Sequence, residues 1–175
     1  SQGDYWFLRA EVIAKLQSSD NAFKKAAHRL LGQGKIKRVR GEFYLIVPPE
    51  YQTTQSLPAT WFIDPLMKYL KQNYYVGLLS AAAMQGAAHQ QPMAMQVLTS
   101  KATRDITVGQ VRLTFYRKKI ITPEDYRLVK TATGMMQVAT PEMIAFDLLQ
   151  YPDAAGQINH VATVLTELAE KLDPN

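Results

Sequence analysis

Asn21, Lys24, Lys25, His28 and Arg29 are the side chains whose types and spacing most clearly suggest a chemistry. Wound at about 100° per residue, they share one half of a helix, with Arg29 at its margin. Ala22, Phe23, Ala26, Ala27, Leu30 and Leu31 fall on the other half. Amide and basic side chains on one face can hydrogen-bond base edges and pair with phosphates. The apolar half must dock on a neighbour. Just downstream, Lys35, Lys37, Arg38 and Arg40 sit in a short hairpin around Gly41, where their natural role is phosphate contact. Ser18 completes the candidate DNA-binding set, within a capping cluster with Ser19 and Asp20. Either element alone reads as a solvated surface. Helix, capped helix, glycine and basic hairpin in succession read as a winged helix-turn-helix on duplex DNA.

Chemistry of other kinds finds no support in the sequence. His28, His89 and His160 are far apart and lack paired carboxylates at metal-binding spacing. Leu79-Ser80-Ala81 has no flanking glycines, so it is not a nucleophile elbow. No Gly-Lys-Ser/Thr loop follows a strand. A nuclease needs carboxylates gathered around Mg²⁺, but Asp105 faces a hairpin strand that offers Arg112, and Glu124-Asp125 reads as a cap after Pro123. The chain is therefore expected to be no enzyme and to need no cofactor or metal. Arg112, Arg117, Lys118 and Lys119 form a second basic group, read as a solvated strand end or as a surface facing nucleic acid or a toxin.

The elements that must position these residues follow from pattern. Tyr5-Trp6-Phe7 reads as a strand and Arg9–Leu16 as a helix, with Ile36–Val39 and Phe43–Ile46 as strands around the Arg40-Gly41-Glu42 turn. A winged helix ordinarily has a helix before its first strand. Only four residues precede Tyr5, so that helix is absent from the sequence or another element fills its place. Further on, Ala59–Gln72 reads as a helix kinked or started near Pro65, and Gly77–Gly86 as a helix of small residues. Strands are expected at Met93–Thr99, Ile106–Val108, Val111–Phe115, Ile120-Ile121, Arg127–Lys130 and Met135–Val138. Pro141–Leu149 and Asn159–Leu172 read as the last helices, the first with proline in its opening turn. The fold class is α+β: an N-terminal winged helix-turn-helix, then an α+β domain on a mixed or antiparallel sheet.

Charge divides the chain in the same place. Residues 1–50 carry nine Lys/Arg against five Asp/Glu, and residues 51–175 carry eleven against ten. A basic module attached to a near-neutral one suits a polyanionic partner. Residues 51–58 are polar and lead to Pro58, so they are read as a linker between a DNA-binding domain (1–50) and a second domain (59–175). No apolar run is long enough to span a bilayer, no cysteine supports a disulfide, and the opening residues lack a signal-peptide pattern. A cytoplasmic protein without membrane contact is the expectation.

The second half carries a distinctive run, Tyr74-Tyr75-Val76-Gly77-Leu78-Leu79-Ser80-Ala81-Ala82-Ala83-Met84-Gln85-Gly86, continuing through His89-Gln90-Gln91-Pro92. With Ala139-Thr140-Pro141-Glu142-Met143-Ile144-Ala145-Phe146-Asp147-Leu148-Leu149 and Ile158-Asn159-His160-Val161, it resembles the AbiEi family. These are antitoxins of type IV abortive-infection toxin–antitoxin systems. Arg38-Val39-Arg40-Gly41-Glu42-Phe43-Tyr44 resembles the family's wing, and Gln85 stands where the family pattern suggests histidine. The resemblance implies a repressor of its own promoter, bound at inverted repeats. It also implies an antitoxin opposing a nucleotidyltransferase-like toxin without a stable complex. The alternative is a winged-helix regulator that senses a ligand or partner and has no antitoxin activity. Without the family, the small residues of 77–87 read as close helix packing or as part of a ligand site, and His89 as a hydrogen-bonded connector or a ligand.

Overall fold

The computed structural model describes residues 5–54, 56–87, 92–155 and 158–169. His89 and Leu172 lie outside these, as does the side chain of His160. The chain is α+β, with a three-stranded and a six-stranded sheet.

The first sheet forms from β1 (Trp6–Leu8), β2 (Ile36–Arg40) and β3 (Phe43–Ile46) in the order β1-β3-β2, all antiparallel. Between β1 and β2 run α1 (Arg9–Lys15) and α2 (Asp20–Gly32). Side chains on a strand alternate between faces, and here each face has its own cover. Phe7, Tyr44 and Ile36 pack under the helices with Phe23 and Ala27 of α2. Trp6, Leu8, Phe43 and Leu45 point the other way, into the main core of the protein.

Ser19 caps α2: its Oγ accepts from the Ala22 N–H at 3.1 Å. Within the expected capping cluster, Ser18 instead closes α1, its N–H donating to the Ile13 carbonyl at 3.1 Å. Ser19→Ala is expected to cost about 1 kcal/mol in urea unfolding, and Ser18→Ala clearly less. Equal losses would show that the cap is shared.

The second sheet has the order β6-β7-β5-β4-β9-β8. Its strands are β4 (Tyr74–Val76), β5 (Met95–Thr99), β6 (Ile106–Val108), β7 (Val111–Arg117), β8 (Tyr126–Lys130) and β9 (Met135–Ala139). It is mixed: β5/β7 and β4/β9 are parallel, and the other pairs are antiparallel. Helices cover both faces. Neighbouring β4 tyrosines show this, because Tyr74 hydrogen-bonds Asp64 of α3 (Ile63–Tyr69) and Tyr75 hydrogen-bonds Asp147 of α5 (Pro141–Gln150). α4 (Leu78–Met84) and α6 (Ile158–Ala169) pack against α5.

Several elements depart from expectation for identifiable reasons. The helix expected over 59–72 breaks into a 3-10 turn, Ala59–Trp61, and α3. Pro65 then lies in the first turn of α3, where its missing N–H has no intrahelical partner to lose. Ile120-Ile121 forms no strand. The chain leaves the sheet after the Lys118 N–H bonds the Thr99 carbonyl, and the Lys118 side chain turns inward. The expected linker at 51–58 crosses packed rather than free. Leu57 is 1% exposed, and the buried Ser56 Oγ accepts from the Gln110 N–H. Asp125 caps its turn as anticipated, taking the Thr122 N–H at 2.9 Å.

Candidate functional site

α2 presents its polar side chains outward because Phe23 and Ala27 hold the opposite face against the sheet. Asn21, Lys24, Lys25, His28 and Arg29 are all exposed. Lys24 forms an ion pair with Asp20 at 2.8 Å, one helical turn away, and Asp20 also meets Arg9. Such an exposed i,i+4 pair contributes only about 0.2–0.5 kcal/mol, so a competing anion can displace it. Between residues 18 and 40 there are seven Lys/Arg and one acid, which leaves a strong local excess of positive charge.

The hairpin cations do not form one row. Strand alternation places Arg38 on the same side as Ile36, facing α2. There it lines a shallow cleft of about 200 Å³ with Lys24, His28 and Arg9. Its Nε also donates to the Gly41 carbonyl at 2.7 Å, tying it across the turn. A bulge between Arg38 and Arg40 then shifts the register against β3. Arg40 reaches the body of the protein and donates to the Arg104 carbonyl at 2.9 Å. Lys37 is half-buried, and Lys35 is exposed beside Ile36 and Ile46 on an apolar groove. The structure thus gathers Lys24, His28 and Arg38, leaves Asn21, Lys25 and Arg29 on the open helix face, and directs Arg40 elsewhere. The half-buried Ser18 lines the apolar groove.

In the second half, the group Arg112, Arg117, Lys118 and Lys119 is divided in the same way. Arg112 lies 3.4 Å from Asp105, whose other oxygen takes the Phe115 N–H. Arg117 and Lys119 are exposed around an open cleft with Ile120 and Gln150. Lys118 lies inside: its side chain is 13% exposed and its ammonium bonds the fully buried Asp147 at 2.9 Å. Tyr75 donates to the second Asp147 oxygen at 2.6 Å. The same ammonium sits 5.5 Å from the Tyr75 and Phe146 ring centres. Burial pushes the Asp147 carboxyl above its ordinary value, against the opposing pull of its Tyr75 and Lys118 bonds. Burial and the bond to Asp147 hold the Tyr75 hydroxyl protonated far above the usual phenol range. This is an ion pair built into the core, and it takes Lys118 out of the solvent-facing basic group.

Sequence reading missed this triad because its members lie on β4, β7's end and α5, far apart in the chain. A visible signal was Asp147 itself, set between Phe146 and Leu148 in the apolar middle of α5. In the described residues, hydrogen bonds hold both ends of the helix in the 74–87 motif. Buried Gln96 accepts from the Leu79 N–H at the start of α4 and donates to the Ala154 carbonyl at 2.7 Å. Gln85 fastens the other end of α4, its Nε2 donating to the Ala139 carbonyl at 2.9 Å. Among the described residues no cluster of His, Asp or Glu could hold a metal ion. No helix among them is long and apolar enough to cross a membrane.

These features define an α+β protein with a basic N-terminal helix face and a helix-covered mixed sheet. Residues 75–175 match the AbiEi antitoxin C-terminal domain, so the chain belongs to the AbiEi antitoxin family. It is accordingly an antitoxin with a toxin counterpart. No curated protein matches the sequence.

Proposed function

We propose that residues 5–50 are a winged helix-turn-helix that binds duplex DNA, with α2 in the major groove and the β2–β3 hairpin as its wing. The observation that carries this reading is the exposed polar face of α2, backed by Phe23 and Ala27 on a sheet ordered β1-β3-β2. Asn21, Lys25, His28 and Arg29 meet base edges and phosphates, and Arg38 with Lys24 adds phosphate contact from the wing side. The target is the promoter of the protein's own operon, at inverted repeats, so binding represses the operon. In the same reading, the C-terminal half opposes a nucleotidyltransferase-like toxin without a stable complex. Arg117 and Lys119 are the exposed cations of its candidate surface.

The test is binding to the upstream promoter fragment across a salt series. Lys24→Ala with Lys25→Ala should weaken binding by tenfold or more at about 0.1 M salt and flatten the salt slope. Arg38→Ala should flatten it further, and Arg40→Ala much less, because Arg40 is held on the body. Unchanged affinity in the double variant would remove α2 from the groove.

A further inference from the structure

A cleft of about 560 Å³ opens where β1, α3 and the β8–β9 turn meet. That volume lies within the range of small-molecule sites, roughly 300–1,000 Å³. Its walls include Trp6 and Trp61, the chain's only two tryptophans, together with Tyr69. The plates are braced from behind. Trp6 stacks on Phe43 at 5.3 Å with a 7° interplanar angle, and Tyr69 leans on the same ring at 5.7 Å. Trp61 is wedged by Tyr5 at 4.8 Å and Tyr51 at 5.3 Å, and its carbonyl takes the Thr133 hydroxyl at 2.9 Å. Neither indole N–H has a hydrogen-bond partner among the described residues. Rings fixed by neighbours lose little entropy when a flat ligand stacks on them.

Beside the hydroxyls of Thr60, Thr131 and Thr133, the wall holds the carboxylate of Asp64, whose side chain is 19% exposed. One of its oxygens takes the Tyr74 hydroxyl at 3.0 Å, and the other pairs with Lys68 at 2.6 Å. A carboxylate has about four lone-pair sites, so acceptor capacity is left over beside the aromatic plates. Lys68 is itself exposed and stands at the mouth.

We propose that this cleft binds a nucleobase, stacked on the tryptophan rings with its exocyclic amine donating to Asp64. The aromatic walls accept any flat heterocycle, and stacking on such a ring contributes on the order of tenfold in affinity per base. The carboxylate selects for bases that carry an amino donor. A free nucleotide and an unpaired base in a strand present the same ring and edge.

Both tryptophans line the site, so intrinsic fluorescence of the full chain reports on it directly. Titration with GMP, AMP or CMP should give saturable quenching, corrected for absorbance. Ribose 5-phosphate should give none. A single-stranded oligonucleotide acting at lower concentration than the mononucleotides, with a fully paired duplex inactive, would identify the strand as the source. The reverse order would identify the free nucleotide. Asp64→Asn keeps an oxygen for the Tyr74 hydroxyl but loses the charge, and should weaken binding by about tenfold or more. Trp61→Phe leaves Trp6 as the sole tryptophan, and its selectively excited emission should still show saturable quenching. Linear, non-saturating quenching with every base, equal quenching by ribose 5-phosphate, or superimposable wild-type and Asp64→Asn curves would each overturn the proposal.

Discussion

Lys118→Met is expected to destabilise the protein by about 3–5 kcal/mol at neutral pH, because it leaves a buried carboxylate without its cation. Asp147 is fully buried, and its remaining side-chain donor would be the Tyr75 hydroxyl. Methionine fills much of the space of the lysine stem, so the loss is electrostatic rather than a cavity effect. A second substitution makes the cause testable. Asp147→Asn in the Lys118→Met background removes the orphan charge but keeps an oxygen for Tyr75. It should recover more than half of the lost stability, since neutral replacement of both partners of a buried pair is often close to neutral.

The pH dependence has a definite sign. Burial already raises the Asp147 carboxyl above its ordinary value in the folded protein. A carboxyl that is raised on folding binds its proton more tightly in the native state. Its contribution to stability therefore falls as pH rises from the ordinary carboxylate value to the raised one. Removing Lys118 deletes one of the interactions that holds the carboxyl down, so the raise becomes larger. The gap between variant and wild type should thus be smallest in acid and widen as pH climbs through that window. Urea unfolding at several pH values measures it. A neutral-pH loss below about 1 kcal/mol, the level of an exposed pair, would mean that Lys118 reaches solvent after all.

The same residue shows how sequence reading succeeds and where it stops. Arg117-Lys118-Lys119 looks like a uniform basic run, yet only the middle member is turned inward. No local pattern distinguishes it, because its partner arrives from α5, 29 positions later. Local signals fared better. Period, cap residues and turn glycines placed α2, β2, β3, the β6–β7 hairpin and α5 close to their observed bounds. The exposure of Asn21, Lys24, Lys25, His28 and Arg29 followed from helical geometry alone.

What was legible but passed over is the two-sided burial of the first sheet. Trp6-Phe7-Leu8 and Phe43-Tyr44-Leu45 do not alternate apolar with polar residues, as a strand with one wet face would. Such runs announce covers on both faces, and the structure supplies them. The division of the β2–β3 hairpin cations is one consequence, since Arg38 and Arg40 lie on either side of the bulge. The aromatic cleft is another, because Trp6 belongs to β1 while Trp61 lies in the turn before α3. Neither could be found from one element at a time.

The contact that seats the β2–β3 turn on the rest of the protein gives the second large effect. Gly41 adopts a φ of +55°, and a Cβ there would collide with the Tyr69 hydroxyl. That hydroxyl accepts from the Glu42 N–H at 3.0 Å. Gly41→Ala therefore suffers twice. A non-glycine residue in the left-handed region costs roughly 1–2 kcal/mol. Displacing the tyrosine orphans a half-buried N–H at a further 1–3 kcal/mol or so. A loss of about 2–5 kcal/mol in chemical unfolding is expected. Tyr69→Phe alone orphans the same N–H and should cost about 1–3 kcal/mol. Combined with Gly41→Ala, it removes the oxygen that the new methyl meets, so the double variant should lose less than the sum. The coupling should lie between about 0.5 and 3 kcal/mol. Strict additivity would mean that the turn does not rest on Tyr69 in solution. In the proposed DNA-binding reading, promoter affinity measured on the same variants would then show whether α2 works alone or depends on a hairpin held in place from below.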